Sequence, residues 1–174
     1  CGMEGLLTVA ALKTLGINKI IVIDKESEKS RAMEFGAWEF IGSHGKNGVA
    51  GVKDKIRAAA GDMADAVFIC TDSPMGRNVA RRFMKNSGSI CEMGFLCGWR
   101  RTPTARYFED SMPAGGRFYA ARDYENCMNF LAKAAEMKLP LYKLITHRYK
   151  LEEINEAMWT VVREEGLGIA VFNR

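Results

Sequence analysis

Apolar positions along this chain fall into two kinds of pattern, short β-branched runs and longer stretches at helical spacing. Residues 6–15 are apolar nearly all round and stop at Gly16, which predicts a helix buried on every face. Lys19-Ile20-Ile21-Val22-Ile23-Asp24 is a β-branched run ending in an acid, the pattern of a fully buried parallel strand. Residues 26–35 read as a helix closed by Gly36, and 38–41 as a further short strand. A loop with Gly42, Gly45 and Gly48 leads into a helix carrying Val52, Ile56 and Ala59 on one face. Residues 66–70 are another buried strand. Ser73-Pro74 opens a helix with Val79 and Phe83 inward, because proline suits a first helical turn. Ser87-Gly88 reads as a turn into a strand over 89–93, followed by Gly94. Strands alternating with helices in this way predict βαβ units, and so an α/β fold with a doubly wound parallel sheet.

The second half is less regular. Residues 96–116 are rich in Arg, Pro and Gly and read as a loop, with a strand over 117–120 after it. Two amphipathic helices follow, one carrying Tyr124, Met128, Leu131 and Ala135, the other Ile154, Ala157, Met158, Val161 and Val162. Between them lies Leu144-Ile145-Thr146-His147-Arg148-Tyr149, and a strand over 168–172 closes the chain.

Composition narrows the class. At 174 residues, 48% hydrophobic and 26% charged, the chain is long enough for a sizeable core and is neither disordered nor fibrous. No apolar run approaches the ~20 residues of a membrane-spanning helix, and the opening residues lack a secretory leader pattern. The net charge of +4 comes from dispersed basic residues, which disfavours nucleic acid as a partner. Cys1, Cys70, Cys91, Cys97 and Cys127 are odd in number and lack CxxC spacing, so they read as reduced thiols of a cytoplasmic protein.

The first residues carry the chemistry. A dinucleotide fold sets a pyrophosphate against the N-terminus of its first helix, where free N–H groups and the helix dipole meet negative charge. Glycines there allow a tight turn and close backbone approach, and an acid about twenty residues on holds the ribose hydroxyls. Gly2-Met3-Glu4-Gly5 supplies the second and third glycines of G-x-G-x-x-G, and Asp24 supplies the acid.

With these features the sequence resembles the zinc-dependent alcohol dehydrogenases of the medium-chain dehydrogenase/reductase superfamily, over its whole length. The resemblance is carried by Gly2-Met3-Glu4-Gly5-Leu6-Leu7, the strand ending at Asp24 followed by Glu28-Lys29 and Phe35-Gly36-Ala37, Phe68-Ile69-Cys70-Thr71 and residues 88–94. Most specific are residues 144–149 with Leu151-Glu152-Glu153-Ile154-Asn155-Glu156-Ala157. It implies that Gly2, Met3, Glu4 and Gly5 cradle the pyrophosphate and that Asp24, with Lys25 and Lys29, holds the adenine ribose. It also places Cys70 and Thr71 beside the adenosine, Met93, Gly94 and Phe95 at the nicotinamide ribose, and Phe118, Tyr119 and Ala120 at the nicotinamide ring. Asp24 implies NAD rather than NADP, since a 2′-phosphate would meet a like charge. Lys25, Lys29 and Arg31 act in the opposite sense. The sequence departs from the family at Glu4, Asp72 and Gly168.

The implied function is hydride transfer between NAD and an alcohol, polyol or carbonyl substrate, with zinc as Lewis acid in a lobe upstream of this chain. A zinc-free reductase of the same superfamily and a non-catalytic NAD-binding regulatory module stand as alternatives. No catalytic residue is assigned in this chain. His44 reads as a solvated loop residue and His147 as a structural histidine, so neither is taken as a metal ligand. In the strand order 3-2-1-4-5-6 the first strand is central, and here it would precede the glycine turn. The expectation is therefore a dinucleotide-binding domain over 1–121 lacking that strand, and a segment over 122–174 returning to the catalytic lobe. The resemblance also implies a homo-oligomer, dimer or tetramer, with residues 117–120 at the interface.

Overall fold

In a computed structural model, which describes residues 1–43, 48–71, 73–93, 113–114, 120–121, 123–163 and 166–172, helices and strands alternate from the start. Helix α1 (Met3–Thr14) is followed by β1 (Ile21–Asp24), a 3₁₀ turn (Glu26–Glu28), α2 (Lys29–Glu34) and β2 (Glu39–Gly42). Then come α3 (Gly48–Ala60), β3 (Ala64–Ile69), α4 (Pro74–Ala80), a 3₁₀ turn (Arg81–Phe83), β4 (Met84–Glu92) and β5 (Pro113–Ala114). Helix α5 (Asp123–Glu136), β6 (Ile145–Lys150), α6 (Ile154–Val162) and β7 (Gly168–Phe172) complete the order. All the strand pairs are parallel, as the alternation predicts.

Strands β1 and β2 are wrapped on both faces. Successive side chains of a strand point to opposite sides. Phe40 joins Leu6, Val9, Ala10, Ile20, Ala32, Phe35 and Leu144 in one core, beneath α1 and α2. Its neighbour Ile41 joins Val52, Ile56, Met63 and Phe83 in a second core, beneath α3. Val22 packs on the first cluster, Ile21 and Ile23 on the second. Helices on both faces of a parallel sheet are the doubly wound arrangement. Helix α2 ends as expected at Gly36, whose φ of 107° suits only glycine without strain.

The parallel sheet is not continuous. The pairs are β1–β2, β3–β4–β5 and β6–β7, and among the described residues no strand lies between β1 and β3. This explains a correction. Neither β1 nor β3 is fully buried: β1 is half-covered along its length, and within β3 only Ile69 is buried. A parallel strand is sealed by neighbours on both edges, and each of these has one.

Other expectations change too. Strand β4 runs unbroken through Ser87-Gly88, where the sequence reads as a turn. The glycine marks an irregularity: Met84 pairs with Ala64, but the next match is Ser89 with Ala66. A Cβ at Gly88 would stand 2.9 Å from the Asp65 carbonyl oxygen, so strand and neighbour meet too closely for any side chain. The irregular 96–116 stretch contains β5, which pairs with Ile90 and Cys91. The rest of that stretch, Arg100, Arg101 and Arg106 included, and residues 117–119 of the expected strand lie outside the described residues. Arg81 is largely covered and paired with Glu92 at 3.2 Å.

The two C-terminal helices form where their spacing predicts, but their apolar faces are open. On α5 Phe130 packs on the first core and Ala134 is buried, whereas Tyr124, Met128 and Leu131 are exposed. On α6 Ala157 and Thr160 are buried, and Ile154, Met158, Trp159, Val161 and Val162 are exposed. No helix among the described residues is long and apolar enough to cross a membrane.

Candidate nucleotide-binding site

The site is assembled at the N-terminus of α1. Gly2 is the residue before its first turn and supplies no side-chain cap, and the first intrahelical bond runs from Leu6 N–H to the Gly2 carbonyl at 3.1 Å. The N–H groups of the first turn are therefore left for a partner outside the helix, with the positive end of the dipole behind them. A Cβ built on Gly2 meets nothing within 4 Å, so the turn opens onto free space. A Cβ on Gly5 would lie 3.7 Å from that of Cys70, ordinary packing distance. Met3 and Glu4 are exposed beside them.

This helix end joins the carboxyl ends of the two half-sheets. On one side the backbone nitrogen of Cys1 lies against the Asp24 carboxylate at the end of β1. Asp24 Oδ1 also accepts the Lys25 N–H at 2.7 Å, and the Asp24 carbonyl accepts that of Ser43 at 2.7 Å, which fixes the strand end. On the other side, Cys70 follows β3, and its Sγ lies 3.6 Å from the Thr8 hydroxyl. Thr8 donates back to the Glu4 carbonyl at 2.8 Å. Thus Gly2, Gly5, Asp24 and Cys70, widely spaced in sequence, meet around one helix terminus.

The remaining assigned residues divide. Thr71 adjoins Cys70 and accepts the Ser73 N–H at 3.1 Å. Met93 follows β4, is tied by its N–H to the Ile69 carbonyl at 2.9 Å, and leaves its side chain open with its sulfur 3.6 Å from Cys91 Sγ. Lys25 and Lys29 are exposed on the turn beyond Asp24. Ala120 leads into α5, donating its N–H to Asp123 Oδ2 at 2.7 Å. Gly94, Phe95, Phe118 and Tyr119 lie outside the described residues.

The electrostatics suit binding and supply no nucleophile. Burial pushes the Cys70 thiol above its ordinary pKa, with a smaller opposing contribution from its Thr8 hydrogen bond. Burial also raises the Cys91 thiol. Neutral thiols are poorly nucleophilic. Among the described residues no three His, Cys, Asp or Glu side chains gather as a metal site. His147 sits on β6 with Nδ1 2.9 Å from the Thr146 hydroxyl. His44 lies outside the described residues.

Sequence reasoning missed Thr8, Glu26 and Glu28. Thr8 stands one helical turn after Glu4, a spacing that sets its hydroxyl under the helix start. Glu26 and Glu28 each lie three residues before a cation, the signal of ion pairs that the charges taken singly do not give.

Comparison with known proteins agrees with this geometry. Residues 5–133 match a protein family described as Zinc-binding dehydrogenase. Sorbitol dehydrogenase 1 of Saccharomyces cerevisiae is 28% identical over 161 residues, covering 90% of this chain and 44% of the yeast protein. Among solved structures, an alcohol dehydrogenase from Thermotoga maritima superposes with a TM-score of 0.81 at 19% identity, over 99% of this chain and 48% of that one. A short chain alcohol dehydrogenase from E. coli CFT073, complexed with NADH, superposes at 0.74 with 18% identity, over 98% of this chain and 50% of that one. The chain thus spans about half the length of the proteins it matches. By the family match over most of its length, this chain belongs to the zinc-binding dehydrogenases.

Proposed function

We propose that the protein carrying this chain is an NAD-dependent oxidoreductase, moving a hydride between the nicotinamide and an alcohol, polyol or carbonyl substrate. The observation that carries this reading is the Asp24 carboxylate set against the open glycine turn of α1. The turn's N–H groups and dipole bind the pyrophosphate, and Asp24 accepts hydrogen bonds from the ribose hydroxyls. Cys70 and Thr71 line the adenosine side, and Met93 approaches the nicotinamide half. Bound NAD supplies the hydride acceptor, and this chain's residues hold and orient it. Zinc, as Lewis acid on the substrate oxygen, belongs to the part of the protein outside these residues. The polyol class is favoured by the likeness to a sorbitol dehydrogenase.

The same reading divides the chain near residue 121. Residues 1–121 form the dinucleotide-binding domain, with a strand from elsewhere in the protein between β1 and β3, and residues 122–174 join the catalytic lobe through the open faces of α6 and β7. It further gives a cytoplasmic homo-oligomer assembled through residues 117–120.

The test uses the full-length protein. NADH binding, followed by nicotinamide fluorescence, is expected to weaken about tenfold or more in Gly2→Ala and in Asp24→Asn, the worth of one charge-assisted hydrogen bond. Melting temperature should stay unchanged in Gly2→Ala, because the added methyl meets only open space. Unaltered NADH affinity in both variants would sink the site. Zinc content and oxidation of a polyol series on the same sample separate a zinc enzyme from a zinc-free reductase.

A further inference from the structure

A 2′-phosphate on the adenine ribose is recognised by cations placed just beyond the ribose-binding acid. This chain has two such cations at the start of α2, Lys29 and Arg31, yet both are already engaged. Arg31 Nη1 lies 2.7 Å from Glu28 Oε2, a charge-assisted hydrogen bond to a carboxylate only 24% exposed. The Ser27 hydroxyl steadies the other oxygen of Glu28 at 3.4 Å. Lys29 Nζ is 3.8 Å from Glu26 Oε1, a looser and more exposed pair. Glu26 turns back over the end of β1–β2: its Oε2 lies 2.6 Å from where a Cβ of Gly42 would stand, and Gly42 pairs in register with Asp24. The Glu28 N–H donates to the Lys25 carbonyl at 2.9 Å, which folds the Glu28–Arg31 pair back onto the turn that directly follows Asp24.

We propose that Glu28 is a specificity-determining residue, enforcing NAD over NADP by holding the Arg31 guanidinium in an ion pair away from the ribose 2′-position. The proposal rests on the dinucleotide reading of the Gly2–Asp24 site. Asp24 alone repels a 2′-phosphate, but a free guanidinium at the start of α2 would offset that repulsion with a planar, bidentate phosphate partner. Glu28 removes the offset. Because it neutralises Arg31 without touching the 2′-hydroxyl, it leaves NAD binding to Asp24. Lys25, which is in no ion pair among the described residues, keeps its charge whatever stands at position 28 and cancels from the comparison.

The experiment titrates the full-length protein with NADH and with NADPH, as wild type, Glu28→Gln, Arg31→Ala and the double variant. Glu28 caps no helix N–H with its side chain, so its amide analogue retains the fold, and unchanged melting temperatures confirm this. The wild type should prefer NADH. Glu28→Gln should tighten NADPH about tenfold, the scale of one charge-assisted hydrogen bond, with NADH affinity within about twofold. Arg31→Ala alone should change neither, and in the Glu28→Gln background it should erase the gain. NADPH affinity unmoved by Glu28→Gln while NADH still binds would overturn the proposal and leave the site standing. A gain that survives Arg31→Ala would also overturn it, since the effect would then be loss of an acid and not release of a cation. Failure of all four proteins to bind either coenzyme would overturn the site itself, and the proposal with it.

Discussion

Gly88 has no room for a side chain. A Cβ there would stand 2.3 Å from Met84 Cγ and 2.9 Å from the Asp65 carbonyl oxygen. The methionine can move, but the carbonyl belongs to β3 and moves only with the strand. Gly88→Ala is therefore expected to destabilise by about 1–3 kcal/mol, read as a lower denaturant midpoint at constant slope. Gly2→Ala should leave that midpoint alone, so the pair separates a glycine kept for packing from one proposed above to serve a ligand. In the sequence the two look alike. What set Gly2 and Gly5 apart was company: a helix, a β-branched strand and an acid in a fixed order, each demanded by one ligand. Gly88 lacked such company and read as a turn, because only the register of β3 against β4 shows what crowds it. The Glu28–Arg31 pair was hidden for a related reason, since charges counted singly do not reveal which are already spent on each other.

At the scale of elements, a polar contact among the described residues ties α6 to β6. Thr160, buried at 2% exposure, donates to the Glu156 carbonyl at 3.1 Å and accepts from the Tyr149 hydroxyl at 2.8 Å. Thr160→Val keeps the shape and leaves the tyrosine hydroxyl without that partner, at an expected loss of about 1–3 kcal/mol. Tyr149→Phe should lose less, because Thr160 still donates within its own helix; equal losses would refute this account of the contact. Helical spacing located both α5 and α6 and identified their apolar faces. It could not say whether those faces are covered. Tyr124, Met128, Leu131, Met158 and Val162 are apolar at the right intervals and exposed, because periodicity records what a helix is built to pack on and not what the chain provides. The converse holds for β2. Phe40 and Ile41 feed two different cores, although the sequence there reads only as a short strand.

For the molecule as a whole, the two half-sheets share a helix terminus and not a strand. If a strand of the full-length protein fills the place between β1 and β3, the amides of 21–24 and 64–69 should exchange with deuterium slowly there. In residues 1–174 alone, the unpaired edges of the same strands should exchange orders of magnitude faster. Equal rates in the two would show that no strand enters. The α/β class and the parallel pairing were legible because alternation of period permits few other folds. The division of one sheet into separate parts was foreseeable only from the strand order that the glycine turn implies, since nothing within the β1 or β3 sequence marks a missing neighbour.

The open edges also bear on how such a chain survives its own synthesis. An edge of free N–H and C=O groups flanked by Ile21, Val22 and Ile23 is a template for any extended segment, another copy included. Each half-sheet gathers its own helices over short loops, so both templates are ready early. The step that joins them is a pairing between distant segments, which is slow. Until such a strand pairs with them, these edges are where aggregation would begin, and a ligand that binds only the paired form would favour it by mass action.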